Sequence, residues 1–333
     1  YYRMDSLINL IKEKRNVKEN TLSFYRRNLG KLSQKITGKE YKNINFLKDI
    51  EGVKTELEKE DYSKSTMKNY IASVLTAFLV QKQTKPIIEI VKKYRDYLKE
   101  IDTEYQKTIA NNKKSLKESK NWVSLQELKK VLKKYQTKIK KHGINKNNKV
   151  LSKKEKDILQ RYVTLSLYLI DDDNPPIRLG YADMKVMTEP KYNKETDEEK
   201  EKHNYLVVKS RNKKYFSLGN FKTKSKGKFE SIKKIPIGSK LNTVLNLWLK
   251  HNPSGYLLLN TQGQPMSRNS LTKYLTSSFK KYIGDRKISS TMLRHIFITD
   301  ELGDAIEKIR KTSDKMLHSE KTQQTTYYKK NDK

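Results

Sequence analysis

From residue 4 to about 115 the apolar side chains recur at helical spacing, a period that one face of a helix can bury and a pleated strand cannot. Leu7, Ile8, Leu10 and Ile11 open a stripe that Leu22, Tyr25, Leu29 and Leu32 continue after a break near Asn16. Further helices are expected at 46–60 and 65–80. The second is opened by Ser63 or Ser65 and carries Tyr70, Ile71, Val74, Leu75, Phe78 and Leu79. With a longer helix from Pro86 these make a small bundle. Its outer residues Lys12, Lys14, Arg15, Arg26, Arg27, Lys64 and Lys68 suit a phosphate backbone, or equally an ordinary solvated face.

The stretch from Lys107 to Lys120 is polar and charged, as a linker between units would be. It divides the chain into expected domains 1–115 and 116–333. Ser124 with Glu127, and Ser152 with Glu155, have the spacing of capping boxes at the starts of two helices, the second rich in apolar residues. Strand signals follow. Tyr205–Val208 and Tyr215–Leu218 flank a turn at Arg211–Lys214, Ile232–Ile237 alternates, and Tyr256–Leu259 reads as a further short strand. Helices are expected at 240–251, 268–282 and 293–311. The fold class is therefore mainly α with a small antiparallel β-sheet, an α+β chain.

At 333 residues there is room for two cores, and 73 Lys+Arg against 38 Asp+Glu give a net charge of +35. Such an excess points to a polyanion, first of all nucleic acid, although a lysine-heavy genome would also produce it. The absence of cysteine excludes disulfides, thiolate metal sites and thiol nucleophiles. No apolar run approaches the roughly 18 residues of a membrane span and no secretory leader is visible, so a soluble, intracellular protein without a membrane partner is expected. Tyr1 in place of an initiating Met is read as a sign that a further N-terminal segment precedes it.

Near the C-terminus, Thr291-Met292-Leu293-Arg294-His295 precedes Met316-Leu317-His318-Ser319, and Tyr327-Tyr328 follows. Arginine, histidine and tyrosine are parts with which a phosphodiester can be cut covalently and without a metal. A phenol attacks, guanidinium forks neutralise the phosphate oxygens, and an acid protonates the departing oxygen. On these residues the chain resembles the tyrosine recombinase, or phage integrase, family. His318 lies 24 residues after Arg294 and Tyr327 nine after His318, and Leu293–Thr299 resembles the family's Leu-Arg-His-Thr-Phe-Ala-Thr.

The resemblance implies an N-terminal helical core-binding domain and an integrase-type catalytic domain that closes on double-stranded DNA as a homotetramer holding two duplexes. It implies neither a cofactor nor a small-molecule substrate. Tyr327 is the expected nucleophile, with Tyr328 as the alternative because adjacent helical residues point about 100° apart. Arg178, in Pro175-Pro176-Ile177-Arg178, stands where the family's first arginine belongs, unless it only pairs with Asp171–Asp173. Lys222 is the expected acid, with Lys224 and Lys226 in the same turn. Arg178, Arg294 and His318 would stabilise the phosphate, and His295 would pack beneath them. These groups should converge on one anion-sized pocket.

Two departures stand out. Thr291 occupies the position of the first histidine of the family's His-x-x-Arg, which leaves a phosphate contact but no base, so water or His318 must assist. The segment after Arg178 lacks the usual acidic residue, and Asp183 is left to orient the arginine. The Pro-Pro-Ile-Arg variant is similar to integrases of eukaryotic viral and transposon-like mobile elements. Expected function is site-specific integration or excision through a 3′-phosphotyrosine. The rivals are a type IB topoisomerase-like relaxing enzyme and a catalytically silent DNA-binding accessory protein.

Overall fold

The computed structural model describes residues 4–39, 43–110, 112–145, 150–170, 176–221 and 231–329. Its contacts divide the chain into two units, Tyr1–Lys114 and Ser115–Lys333. The first holds α1 (Met4–Arg15), α2 (Glu19–Thr37), α3 (Ile50–Lys59), α4 (Lys64–Leu79) and the long α5 (Lys85–Ala110), with a 3-10 turn at Asn45–Lys48. Asn16 supplies the break after α1 in the left-handed region, φ 43°, which asparagine tolerates. Ser63 accepts a hydrogen bond from the Thr66 N–H and so starts α4.

Leu7, Ile11, Leu29, Leu32, Val53, Ile71, Val74, Phe78 and Tyr94 form the core of this unit, and the Tyr94 hydroxyl donates to the Leu47 carbonyl at 2.7 Å. Most of the cations on its outer face are already engaged. Lys12 pairs with Glu19, Arg26 with Asp5, Lys64 with Glu104 and Lys68 with Asp102, while Lys14 donates to the Val80 carbonyl. Arg27 lies over the Phe24 ring, and Arg15 alone of the seven has no partner among the described residues.

The second unit begins with three capped helices, α6 (Leu116–Asn121), α7 (Leu125–Lys141) and α8 (Lys153–Leu169). Capping boxes at Ser115/Glu118, Ser124/Glu127 and Ser152/Glu155 open them. The polar stretch read as a linker is therefore partly helical. α5 runs into it as far as Ala110, and the Ser115 box nucleates α6 within it.

Four strands follow, β1 (Lys185–Thr188), β2 (Asn204–Val208), β3 (Lys214–Leu218) and β4 (Lys233–Pro236), in the order β1-β2-β3-β4. β2, β3 and β4 are antiparallel as expected, with Leu206 opposite Phe216 and Phe216 opposite Ile235. The sheet as a whole is mixed rather than antiparallel, because β1 pairs with β2 in parallel. A parallel pair needs a crossover, and α9 (Glu189–Lys194) with α10 (Asp197–Lys202) supplies it. Tyr256–Leu259 forms no strand. It makes two isolated bridges, Lys185 to Tyr256 and Leu259 to Pro265, while Leu257 and Leu258 are buried.

α11 (Ser239–His251), α12 (Arg268–Ile283) and α13 (Ser290–Lys315) complete the layer that packs on α7, α8 and the sheet, around Leu128, Leu159, Val163, Leu206, Leu245, Leu275 and Phe279. α13 docks through Met292, Leu293 and Ile296. Asp300 accepts from the Leu125 N–H at the start of α7, 2.6 Å away, and Glu301 pairs with Lys129. α14 (Glu320–Thr322) and a π-helical turn at Gln323–Tyr327 follow. Among the described residues no helix is long and apolar enough to cross a membrane.

Candidate active site

Two arginines are brought together by elements far apart in sequence. Arg178 leaves the loop after α8, where the buried Tyr168 hydroxyl donates to its carbonyl at 3.1 Å, and Arg294 lies in the first turns of α13. Burial first, and then the nearby Arg178 cation, hold the Arg294 guanidinium below its ordinary value. A repulsion of that kind requires the two charges to be close. Neither side chain has an acidic partner among the described residues, so the pair suits an anion that arginine forks can grip bidentately. Thr291, exposed one turn before Arg294, falls on the same side of α13.

Histidine and tyrosine meet at the other end of that helix. α13 closes in a Schellman motif: the His318 N–H bonds to the Ser313 carbonyl and the Leu317 N–H to the Asp314 carbonyl, both at 3.2 Å. Leu317 takes the left-handed position at φ 56°, which glycine ordinarily fills. The Tyr327 ring packs edge-on against His318 with centroids 5.0 Å apart, whereas Tyr328 makes no such contact.

His318 Nδ1 lies 3.2 Å from the Met316 carbonyl, an acceptor only, so Nδ1 donates there and in the neutral ring the lone pair falls on Nε2. That Nε2 is buried and has no hydrogen-bond partner. Ser313 bonds to Gln323 and ties the π turn to the end of α13. Sequence reasoning did not single out Gln323. Its only signal was its place one helical turn before Tyr327.

The two halves do not meet in this conformation. Residues Ser290–Lys315 form one unbroken helix, and at 1.5 Å per residue its length sets His318 and Tyr327 about 30 Å from Arg294. The side chains expected to share a single pocket stand instead in two separate clusters. Lys222, Lys224 and Lys226 lie outside the described residues.

Two neighbouring expectations change. Burial raises the Asp183 carboxyl above the usual range, and the side chains that act against this are Arg268 and His203 rather than Arg178. His295 does not pack beneath the arginines but stands half-exposed, 3.8 Å from Glu118.

Residues 210–333 match the model of the phage integrase family. The match takes in Arg294, His318, Tyr327 and Tyr328 and leaves Arg178 and the helical first unit outside it.

The solved structures to which the chain is similar include the following. The Tn1549 transposon integrase in complex with transposon right end DNA has 16% identity, coverage of 99% of this chain and 96% of that one, and a TM-score of 0.44. The XerH site-specific recombinase bound to its difH substrate has 15% identity, 98% and 85% coverage, and a TM-score of 0.44. The XerA recombinase has 13% identity, 99% and 95% coverage, and a TM-score of 0.30. No curated relative matches the chain.

Proposed function

We propose that the chain is a site-specific DNA recombinase that cuts and rejoins strands through a tyrosine. The observation that carries this is the contact of His318 with Tyr327 inside the region that matches the phage integrase model, with the imidazole Nε2 left without a hydrogen-bond partner. In the proposed reaction the Tyr327 oxygen attacks phosphorus, the bond to the 5′ oxygen breaks, and a 3′-phosphotyrosine forms. A 5′ hydroxyl from the other duplex then attacks the phosphotyrosine and releases the phenol, so no bond energy is lost and no nucleotide is consumed.

Arg178 and Arg294 neutralise the charge that builds on the non-bridging oxygens. With threonine at position 291, the base is assigned to His318 Nε2, which takes the phenol proton and as an imidazolium then faces the phosphate. Lys222 is the proposed acid toward the 5′ oxygen. Double-stranded DNA is the substrate, and strand exchange between two duplexes calls for a tetramer.

A duplex nicked near the scissile phosphate traps the intermediate. The unaltered chain and Tyr328→Phe should form a covalent adduct, and Tyr327→Phe should not. An adduct that persists in Tyr327→Phe moves the nucleophile elsewhere, and no adduct from any of the three makes the protein a silent DNA-binding module. Relaxation of supercoils by a monomer, without pairing of duplexes, indicates the topoisomerase-like activity.

A further inference from the structure

Groups that must act on one phosphate stand at opposite ends of α13, and the sequence between them encodes a break that the helix does not show. Leu302-Gly303-Asp304-Ala305-Ile306-Glu307 combines the glycine that commonly ends helices with an aspartate three residues before a glutamate, the pattern that starts them. Nothing in the straight helix requires that glycine. A Cβ built on Gly303 meets no atom within 4 Å, and its φ is not among the positive ones.

Beyond Glu301, among the described residues, no ion pair or hydrogen bond joins this limb to any earlier element. Ile298, Leu302 and Ile306, four residues apart on one face, remain 44%, 44% and 39% exposed. Nine residues separate Arg294 from Gly303 and twelve separate Gly303 from Lys315, arms of about 14 and 18 Å. A fold at Gly303 would therefore bring the two ends level.

We propose that Gly303–Asp304 is a hinge: the straight α13 is the open, inactive form, and a bend there within the same chain closes the His318–Tyr327 half-site onto Arg178 and Arg294. The bend turns the Ile306 arm back over Ile298 and Leu302 and replaces lost helical bonds by a glycine C-cap and an Asp304 N-cap. The purpose of the hinge rests on the recombinase reading, but its motion can be measured separately.

The chain has no cysteine, so Gln126→Cys and Gln324→Cys, both at exposed positions, accept a pair of spin labels cleanly. The label distance should be long in the free protein and shorten on the nicked duplex. Gly303→Ala favours the straight helix and should lower both the short-distance population and the adduct rate about fivefold. Ala305→Pro, with proline at the first position after an Asp304 cap, breaks only the straight form. It should shorten the distance without DNA and keep the adduct.

A distance that stays long on DNA overturns the hinge. So does a mixture of Arg294→Ala and Tyr327→Phe chains that restores an adduct neither forms alone, because the tyrosine then acts on a second copy. Failure of the unaltered chain to form any adduct removes the recombinase reading instead, while the label distance still decides the hinge.

Discussion

At the scale of single residues, the most informative fact is that the Arg178 and Arg294 guanidinium groups act on each other with no acidic partner among the described residues. Burial first, and then repulsion by the Arg178 cation, lowers the Arg294 value, and an anion held by both would relieve that repulsion. If the anion is a phosphate whose charge grows during reaction, Arg294→Ala should slow adduct formation on the nicked duplex by about 10²–10³-fold. Arg294→Lys should recover only part of this, since an ammonium cannot grip two oxygens at once. Equal rates for all three proteins would remove Arg294 from the site.

Leu317 carries the opposite kind of information, a residue poorly suited to its backbone. Its side chain is 94% exposed and its φ is 56°, so glycine loses no packing there and escapes the left-handed strain. That strain, about 1–2 kcal/mol, exceeds the extra freedom glycine gains when unfolded, about 0.4–1 kcal/mol. Leu317→Gly should thus firm the turn by about 0.5–1 kcal/mol. Slower amide exchange at His318 would show it, and faster exchange would contradict it. Spacing in the sequence brought forward Arg294, His318 and Tyr327 as candidates, and the straight α13 sets Arg294 apart from the other two. Spacing could not show that Asp183 answers to Arg268 and His203, because those partners are brought to it only by the fold.

At the scale of elements, Gly219 shows how tightly the segment before Lys222 is held. It follows β3, its N–H bonds to the His203 carbonyl, and a Cβ there would lie 1.9 Å from the Lys200 carbonyl oxygen and 2.7 Å from the Glu201 Cα. Those obstacles are backbone and cannot rotate away. Gly219→Ala should cost about 1–3 kcal/mol as overpacking, read as a lower denaturant midpoint of the second unit. An unchanged midpoint would mean that α10 moves freely from β3.

β2, β3 and β4 were legible because their residues alternate and a polar turn separates the first two. β1 was not: Lys185-Val186-Met187-Thr188 is four residues at a sheet edge, and its parallel partner lies beyond two short helices. Tyr256–Leu259 misled for the converse reason. Its apolar residues are buried in the helical layer, and periodicity cannot tell such a run from a strand. α13 was expected at 293–311 and extends over both ends, through a Gly-Asp pair that local chemistry would use to stop it.

At the scale of the whole molecule, tyrosines inside both units set how the fold meets alkali. Tyr70 and Tyr97 in the first unit, and Tyr135, Tyr205 and Tyr215 in the second, are each pushed up to about 12, chiefly by burial, from an ordinary value of 10. In the unfolded chain they ionise near pH 10, whereas in the folded chain they keep their protons until about 12. Between those values the unfolded state binds fewer protons, so the stabilisation is complete below pH 10 and is lost as pH rises through 12.

Lys214 works the other way. It is buried with its ammonium on Asn242, Asn246 and the Arg211 carbonyl, and burial lowers its value, so its charging cost is relieved as alkali removes the proton. Five phenols in two units outweigh one lysine. The thermal midpoint should hold level up to pH 10 and fall steeply between 10 and 12, with tyrosinate absorbance rising together with loss of helix. Ionisation of these phenols near pH 10 with helix intact would show that water reaches them in the folded chain.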